Sequence, residues 1–220
     1  MQKTITLKSV AMCPKCYNHY DVDLKAVFKD IPENFIIELG FNTHFYSLCP
    51  KCHCCTMYFV VDKEIADSIY YFNKLGYHTK ACCQGHCKIN IRNNKYQVEA
   101  PYVYLYGRKK LKRELYNKLC SFGWDDFSIR IFDQKKHKHI KHINNFEELS
   151  KSTTNVIYYS YKLTKKHLEE CKAKYPDNPD KVIKEMNNYF KQQCQQLAKI
   201  LGGECLNEQK TSKSRNGIKT

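Results

Sequence analysis

Cys13-Pro14-Lys15-Cys16 and Cys49-Pro50-Lys51-Cys52 are two copies of one tetrapeptide, with 32 residues between them. A tight turn inside each couple lets both sulfurs face one point, and the proline after the first cysteine helps fix that turn because its φ is locked. Two C-x2-C couples bring four thiols within reach of one tetrahedral ion, and Zn²⁺ favours sulfur donors in that geometry. The spacing therefore predicts a structural Zn²⁺ site formed by Cys13, Cys16, Cys49 and Cys52. His53, Cys54 and Cys55 follow directly, and one of them could replace a knuckle cysteine. Neighbouring residues point apart in an extended chain, so all three cannot serve one ion.

The segments around the knuckles read as strands. Thr4 to Ala11 alternates apolar and polar residues on the way into the first knuckle, and Tyr20 to Phe28 alternates weakly on the way out. Asp30 to Asn34 is a turn, Phe35 to Leu39 a further apolar segment, and Thr56 to Val61 a short strand after the second knuckle. Knuckles at strand turns make residues 1–61 a β-rich, zinc-ribbon-like module.

The chain has 220 residues, 42% of them hydrophobic, which suits one large domain or two small ones. Thirteen cysteines without an export signal fit a reducing, cytoplasmic compartment, where thiols bind metal rather than pair. No apolar run is long enough to span a membrane. The net charge is +15, distributed as +1 over residues 1–61, +7 over 62–150 and +7 over 151–220. A four-thiolate Zn²⁺ site adds −4 and +2, leaving the first module slightly acidic. Any attraction to a polyanion lies further along the chain.

Asp62 is placed to cap a helix through Ile65, Ile69 and Phe72, with Gly76 at its C-terminal stop. Strands are expected over Tyr77 to Cys83, Tyr102 to Tyr106 and Phe127 to Phe132, with a helix from Arg108 to Cys120. This order gives an α+β domain over 62–162, with helices on one face of a small sheet. Residues 133–155 look loop-like, and Val156 to Tyr161 forms a last strand. Over 163–206 the pattern is a helical hairpin: Leu163 to Tyr175, then a long helix opened by Asn178-Pro179 and closed by Gly202-Gly203. Residues 207–220 carry no apolar pattern and read as a disordered tail.

Cys82-Cys83-Gln84-Gly85-His86-Cys87 concentrates three thiols and an imidazole. Cys83 and His86 have ligand-like C-x2-H spacing, so Cys82, Cys83, His86 and Cys87 could hold a second metal. A thiol activated by His86 is the alternative, and a tight turn with small buried cysteines is the plainest explanation. With Gly76, Tyr77, Thr79, Cys82, Cys83, Gly85 and His86 in place, residues 10–107 resemble uncharacterised proteins of low-GC bacteria and their phages. In those proteins a helix ends in Gly-Tyr-x-Thr-x-x-Cys-Cys-x-Gly-His, often after an N-terminal zinc knuckle. The resemblance implies an intracellular bacterial or phage setting and brings no activity with it.

The densest cationic stretch, 88–118, carries Lys88, Arg92, Lys95, Arg108, Lys109, Lys110, Lys112, Arg113 and Lys118 against Glu99 and Glu114, with Tyr96, Tyr102, Tyr104 and Tyr106 among them. Cations that track phosphates and aromatic faces that stack bases suit RNA or single-stranded DNA. Lys135, Lys136 and Lys138 add a second basic run, interleaved with histidines. There is no P-loop, dinucleotide fingerprint or H-E-x-x-H motif, and His167-Leu168-Glu169 lacks the P-C-x-x-C of a deaminase. The expected function is that of a zinc-stabilised basic protein binding nucleic acid or a ribonucleoprotein. From the phage-like resemblance, an anti-CRISPR type of inhibitor is the narrower expectation. The competing classes are an enzyme using the 82–87 cluster and a protein adaptor docking through the 179–201 helix.

Overall fold

A computed structural model describes residues 9–21, 44–90, 92–106, 109–130, 140–143, 145–151 and 154–216. The expected turn at 30–34, the apolar segment at 35–39, Arg108, Lys135, Lys136 and Lys138 lie outside these residues. Mixed helix and small antiparallel sheets make this an α+β protein. Among the described residues no helix is long and apolar enough to cross a membrane.

The first sheet has four strands: β1 (Ser9–Met12), β2 (His19–Asp21), β3 (His44–Leu48) and β4 (Cys55–Asp62), in the order β2-β1-β4-β3. Strand β1 runs antiparallel to both β2 and β4, pairing Val10 with Val61. Each knuckle therefore sits where one strand hands over to its neighbour, β1 to β2 and β3 to β4. Val10, Met12 and Val61 are buried in the same apolar core as the helices that follow.

A 3-10 turn (Lys63–Ile65) leads into α1 (Ala66–Lys74). Gly76 at φ +79 ends it, with Gly76 N–H bonded to Asn73 O and Tyr77 N–H to Phe72 O, the paired bonds of a Schellman stop. Asp62 is extended as a cap residue should be, but its side chain makes no capping bond. Its Oδ2 instead accepts the Gln84 N–H at 3.0 Å, while Gln84 Oε1 accepts the Glu64 N–H at 3.2 Å. The helix start is thus satisfied from a distant turn.

The second sheet comprises β5 (His78–Cys83), β8 (Tyr102–Tyr106), β9 (Asp126–Arg130), β10 (Ile140–Ile143) and β11 (Thr154–Tyr158), ordered β10-β9-β11-β8-β5 with every pair antiparallel. Cys82, Val103, Leu105, Phe127 and Ile157 belong to the main core, together with Ile69 and Phe72 of α1 and Leu115 and Leu119 of α2 (Arg113–Ser121). Tyr102 and Tyr104 alternate with Val103 and Leu105, are half-buried, and lie on the other face. Leu111 is buried but precedes α2, which begins at Arg113, so the predicted start near Arg108 is early by more than a turn. A second Schellman stop closes α2: Gly123 takes φ +82, and Trp124 N–H reaches Leu119 O.

Two regions differ from expectation. Between β5 and β8 stands a separate hairpin, β6 (His86–Asn90) with β7 (Lys95–Glu99). Its alternation is regular: Cys87, Ile89, Tyr96 and Val98 on one face, His86, Lys88, Lys95, Gln97 and Glu99 on the other. The expected loop at 133–155 contains β10 and a short helix α3 (Phe146–Lys151), capped by Asn145 Oδ1 accepting the Glu148 N–H at 2.8 Å.

The chain closes with α4 (Tyr161–Lys174) and α5 (Pro179–Asn216). Asn178 caps α5 as expected, its Oδ1 accepting the Lys181 N–H at 3.0 Å. The glycine pair does not end the helix, and neither does the expected boundary at 206: the backbone stays helical to Asn216. Gly202 lies against Tyr71, whose ring would stand 3.2 Å from an added Cβ, so close helix packing accounts for the glycine there. Cys194, Leu197, Ile200 and Leu201 of α5 join the main core, and Ser68 Oγ donates to Cys194 O at 3.1 Å. Val182, Met186 and Phe190 form a second cluster with Cys171 and the inner face of the β6–β7 hairpin. One apolar core thus runs across both the 61/62 and the 162/163 boundaries.

Leu197 is fully buried and Lys199 exposed, two residues apart on α5. Leu197→Ala should cost roughly 2–5 kcal/mol of stability and Lys199→Ala less than about 0.5 kcal/mol, read from urea unfolding.

Candidate metal centre and basic hairpin

The two knuckles are conformational twins. Cys13 accepts the Tyr17 N–H at 2.7 Å, and Cys49 accepts the His53 N–H at 2.9 Å. Each first cysteine donates its own N–H five residues on, to Asn18 O at 2.9 Å and to Cys54 O at 3.0 Å. Tyr17 and His53 close the turns in the left-handed region, at φ 60 and 53. Neither is glycine, so each turn carries backbone strain of about 1–2 kcal/mol.

Sequence identity and fold converge at the sulfurs. Cys13 and Cys52 Sγ are 3.8 Å apart, Cys16 and Cys49 Sγ 3.6 Å, and all four sulfurs lie within 4.8 Å of one another. A tetrahedron of sulfurs with metal bonds near 2.3 Å has an edge of about 3.8 Å. The four residues picked out by spacing could hold one metal ion. Donors already converge on the sulfurs: Cys52 N–H on Cys49 at 3.5 Å and Asn18 Nδ2 on Cys16 at 3.2 Å. Burial, then its contact with Cys49, pushes the Tyr20 hydroxyl up, so it stays protonated beside Cys49 Sγ at 3.3 Å. Of the possible substitutes, Cys54 Sγ approaches Cys52 at 3.4 Å but stands outside the four-sulfur group. His53 is exposed, and the side chain of Cys55 is not among those described.

The 82–87 cluster is dispersed by strand alternation. Cys82 enters the main core opposite Val103. Cys87 is buried under the C-terminal helices, where its N–H donates to Asn187 Oδ1 at 2.8 Å. Only Cys83 and His86 stay together, with Sγ to Nδ1 at 3.8 Å. A third member, Glu99, was not apparent from sequence; it is the direct cross-strand partner of His86, with Oε2 3.2 Å from Nε2. Its signal was the pairing of two strands around the Asn93-Asn94 turn. Cys83 is 2% exposed. Burial, reinforced by Asp62, pushes its thiol up to about 12, and burial pulls His86 down. A thiol so buried and so protonated is a poor resting nucleophile.

The cations divide into two groups. Lys109 Nζ donates to Leu75 O at the end of α1 and lies 5.0 Å from the Tyr77 ring centroid. Arg113 pairs with Glu147 at 2.9 Å and covers the Phe146 ring. These residues have structural work within the fold. Lys88, Arg92, Lys95 and Lys110 are exposed and form no ion pair with a described residue. Three of them decorate the outer face and tip of the β6–β7 hairpin, where Asn94 at φ 52 makes the turn.

Replacing exposed His53 by Gly should relieve its left-handed strain and raise stability by roughly 0.5–1 kcal/mol, read from denaturant midpoints. Asp62 is 5% exposed, and burial pushes its carboxyl up to about 6. An acid whose folded pKa is raised favours folding while protonated and opposes it once ionised. Asp62→Asn should therefore gain stability over wild type as pH climbs through 4 to 6, levelling at roughly 2–3 kcal/mol, measured by urea unfolding across that range. The chain matches no protein-family model, no curated protein and no solved structure.

Proposed function

We propose that this chain is a zinc-stabilised, basic nucleic-acid-binding protein that acts on RNA or single-stranded DNA, free or within a ribonucleoprotein. The observation that carries the proposal is the outer face of the β6–β7 hairpin. Lys88, Arg92 and Lys95 stand there exposed and without ion pairs among the described residues, while the inner face is anchored on α4 and α5. A net charge of +15 supplies the long-range attraction. Zinc is the metal of choice for four thiolates in a tetrahedron. Knuckles at two strand junctions support the zinc-ribbon-like reading of the N-terminal sheet. Thirteen cysteines, eleven of them described and all free, suit the reducing bacterial cytoplasm. Action against a host defence complex rests on the phage-like resemblance alone.

The alternatives have less support. An enzyme built on the 82–87 cluster would work with a buried thiol and dispersed partners. An adaptor docking through α5 would use an apolar edge that this chain already covers with its own two cores.

Fluorescence anisotropy with labelled single-stranded RNA and DNA tests the proposal. Affinity should fall steeply with salt, and Lys88→Ala/Arg92→Ala/Lys95→Ala should lower the slope of log K against log salt by roughly 2. Lys109→Ala should destabilise the fold yet leave that slope nearly unchanged. Unaltered binding by the triple variant would place the interface elsewhere, and absence of salt-dependent binding would sink the proposal. Metal analysis of protein purified without chelator should find zinc, lost on acidification as the thiolates protonate.

A further inference from the structure

We propose a second metal site at Cys83, His86 and Glu99, separate from the four-thiol centre and suited to one divalent transition ion of the zinc class. The sulfur, a ring nitrogen and a carboxylate oxygen lie within 4.8 Å of one another. A tetrahedral ion bound to a thiolate and an imidazole holds its two donors about 3.6 Å apart. Cys83 Sγ and His86 Nδ1 stand at 3.8 Å, so they need almost no movement to share an ion. Glu99 occupies the opposite ring nitrogen. Accepting a hydrogen bond from Nε2–H at 3.2 Å, it fixes the tautomer that turns the Nδ1 lone pair towards Cys83. Carboxylate behind imidazole is the usual outer support of a metal-bound histidine. Mixed sulfur and nitrogen donors select zinc-like ions over magnesium or calcium.

The turn that carries these residues is held from several sides. Gly85 takes φ +81, and an added Cβ would stand 2.6 Å from Pro101 Cδ. Asp62 and Glu64 bind the Gln84 backbone and side chain, and the Cys194 thiol donates to Gln84 O at 3.5 Å. Gly85 N–H donates to Cys83 Sγ at 3.3 Å, as Cys52 N–H does to Cys49 in the knuckle. That donor would stabilise a metal-bound thiolate in both places. Electrostatics adds to geometry: the Asp62 and Glu99 carboxylates both act on Cys83, and the cation that acts on His86 is the exposed Lys88. In a strongly basic chain, this corner is a local acidic one. With two protein ligands and open positions for water, the ion here should exchange faster than the one in the closed four-sulfur site.

Cobalt titration of the full chain, with its tight site already filled by zinc, reads the second site directly. A further equivalent of Co²⁺ should bind and give a thiolate-to-cobalt charge-transfer band. Cys83→Ser should abolish that band. His86→Gln should remove most of the uptake, and exposed Glu99→Gln should weaken it about 10–100-fold without unfolding the chain. In the wild-type chain, a mild chelator should strip this ion before the four-thiol zinc. No uptake beyond the first site, or uptake that all three variants retain, would overturn the proposal. Nucleic-acid binding is scored separately by its salt slope, so either proposal can fail without the other.

Discussion

The apolar edge of the last long helix holds the molecule together. Val182, Met186 and Phe190 lie in the cluster under the basic hairpin, and Cys194, Leu197 and Leu201 lie in the cluster under the five-stranded sheet. Successive turns of one element thus fill two cores. Tyr189 packs against both, bonding Tyr159 hydroxyl to hydroxyl at 2.7 Å and stacking on His167 at 3.9 Å. Burying six such side chains at about 2 kcal/mol each is a stabilisation comparable to the net stability of a whole domain. Hairpin, sheet and N-terminal strands are therefore anchored to a segment far from them in sequence.

Much of the self-contained local chemistry was legible. Knuckle spacing named four sulfurs that do converge, because a C-P-K-C turn is settled within a few residues. Gly76 and Asn178-Pro179 marked helix ends for the same reason. Features that depend on distant partners were hidden. Asp62 has every attribute of a helix cap, yet a turn twenty-two residues away supplies a better donor. Glu99 joins His86 only through strand register. Lysines on the outer face of β6 and β7 masked the alternation beneath them, and the Asn145 cap was lost in a run of charged and histidine residues. Gly202-Gly203 looked like a helix stop because the packing of Gly202 on Tyr71 is invisible in one dimension.

Composition alone also overstated the basic surface. Lys109 and Arg113 stand in the densest cationic stretch, yet one closes a helix end and the other covers a phenylalanine. A cation spent on a carbonyl or a ring face contributes less to a phosphate. Of the exposed cations in that stretch, Lys88, Arg92 and Lys95 lie on one hairpin whose opposite face is packed against the C-terminal helices.

The twinned knuckles have a consequence for the 32 residues between them. An ion held by both couples is a cross-link between Cys16 and Cys49, and it closes that insert into a ring. By the polymer argument used for disulfides, such a closure removes about 4 kcal/mol of freedom from the unfolded chain. The dependence on ring size is logarithmic: halving the insert would change the term by only about 0.6 kcal/mol. The insert can therefore vary widely in length while the clasp retains nearly all of its entropic value.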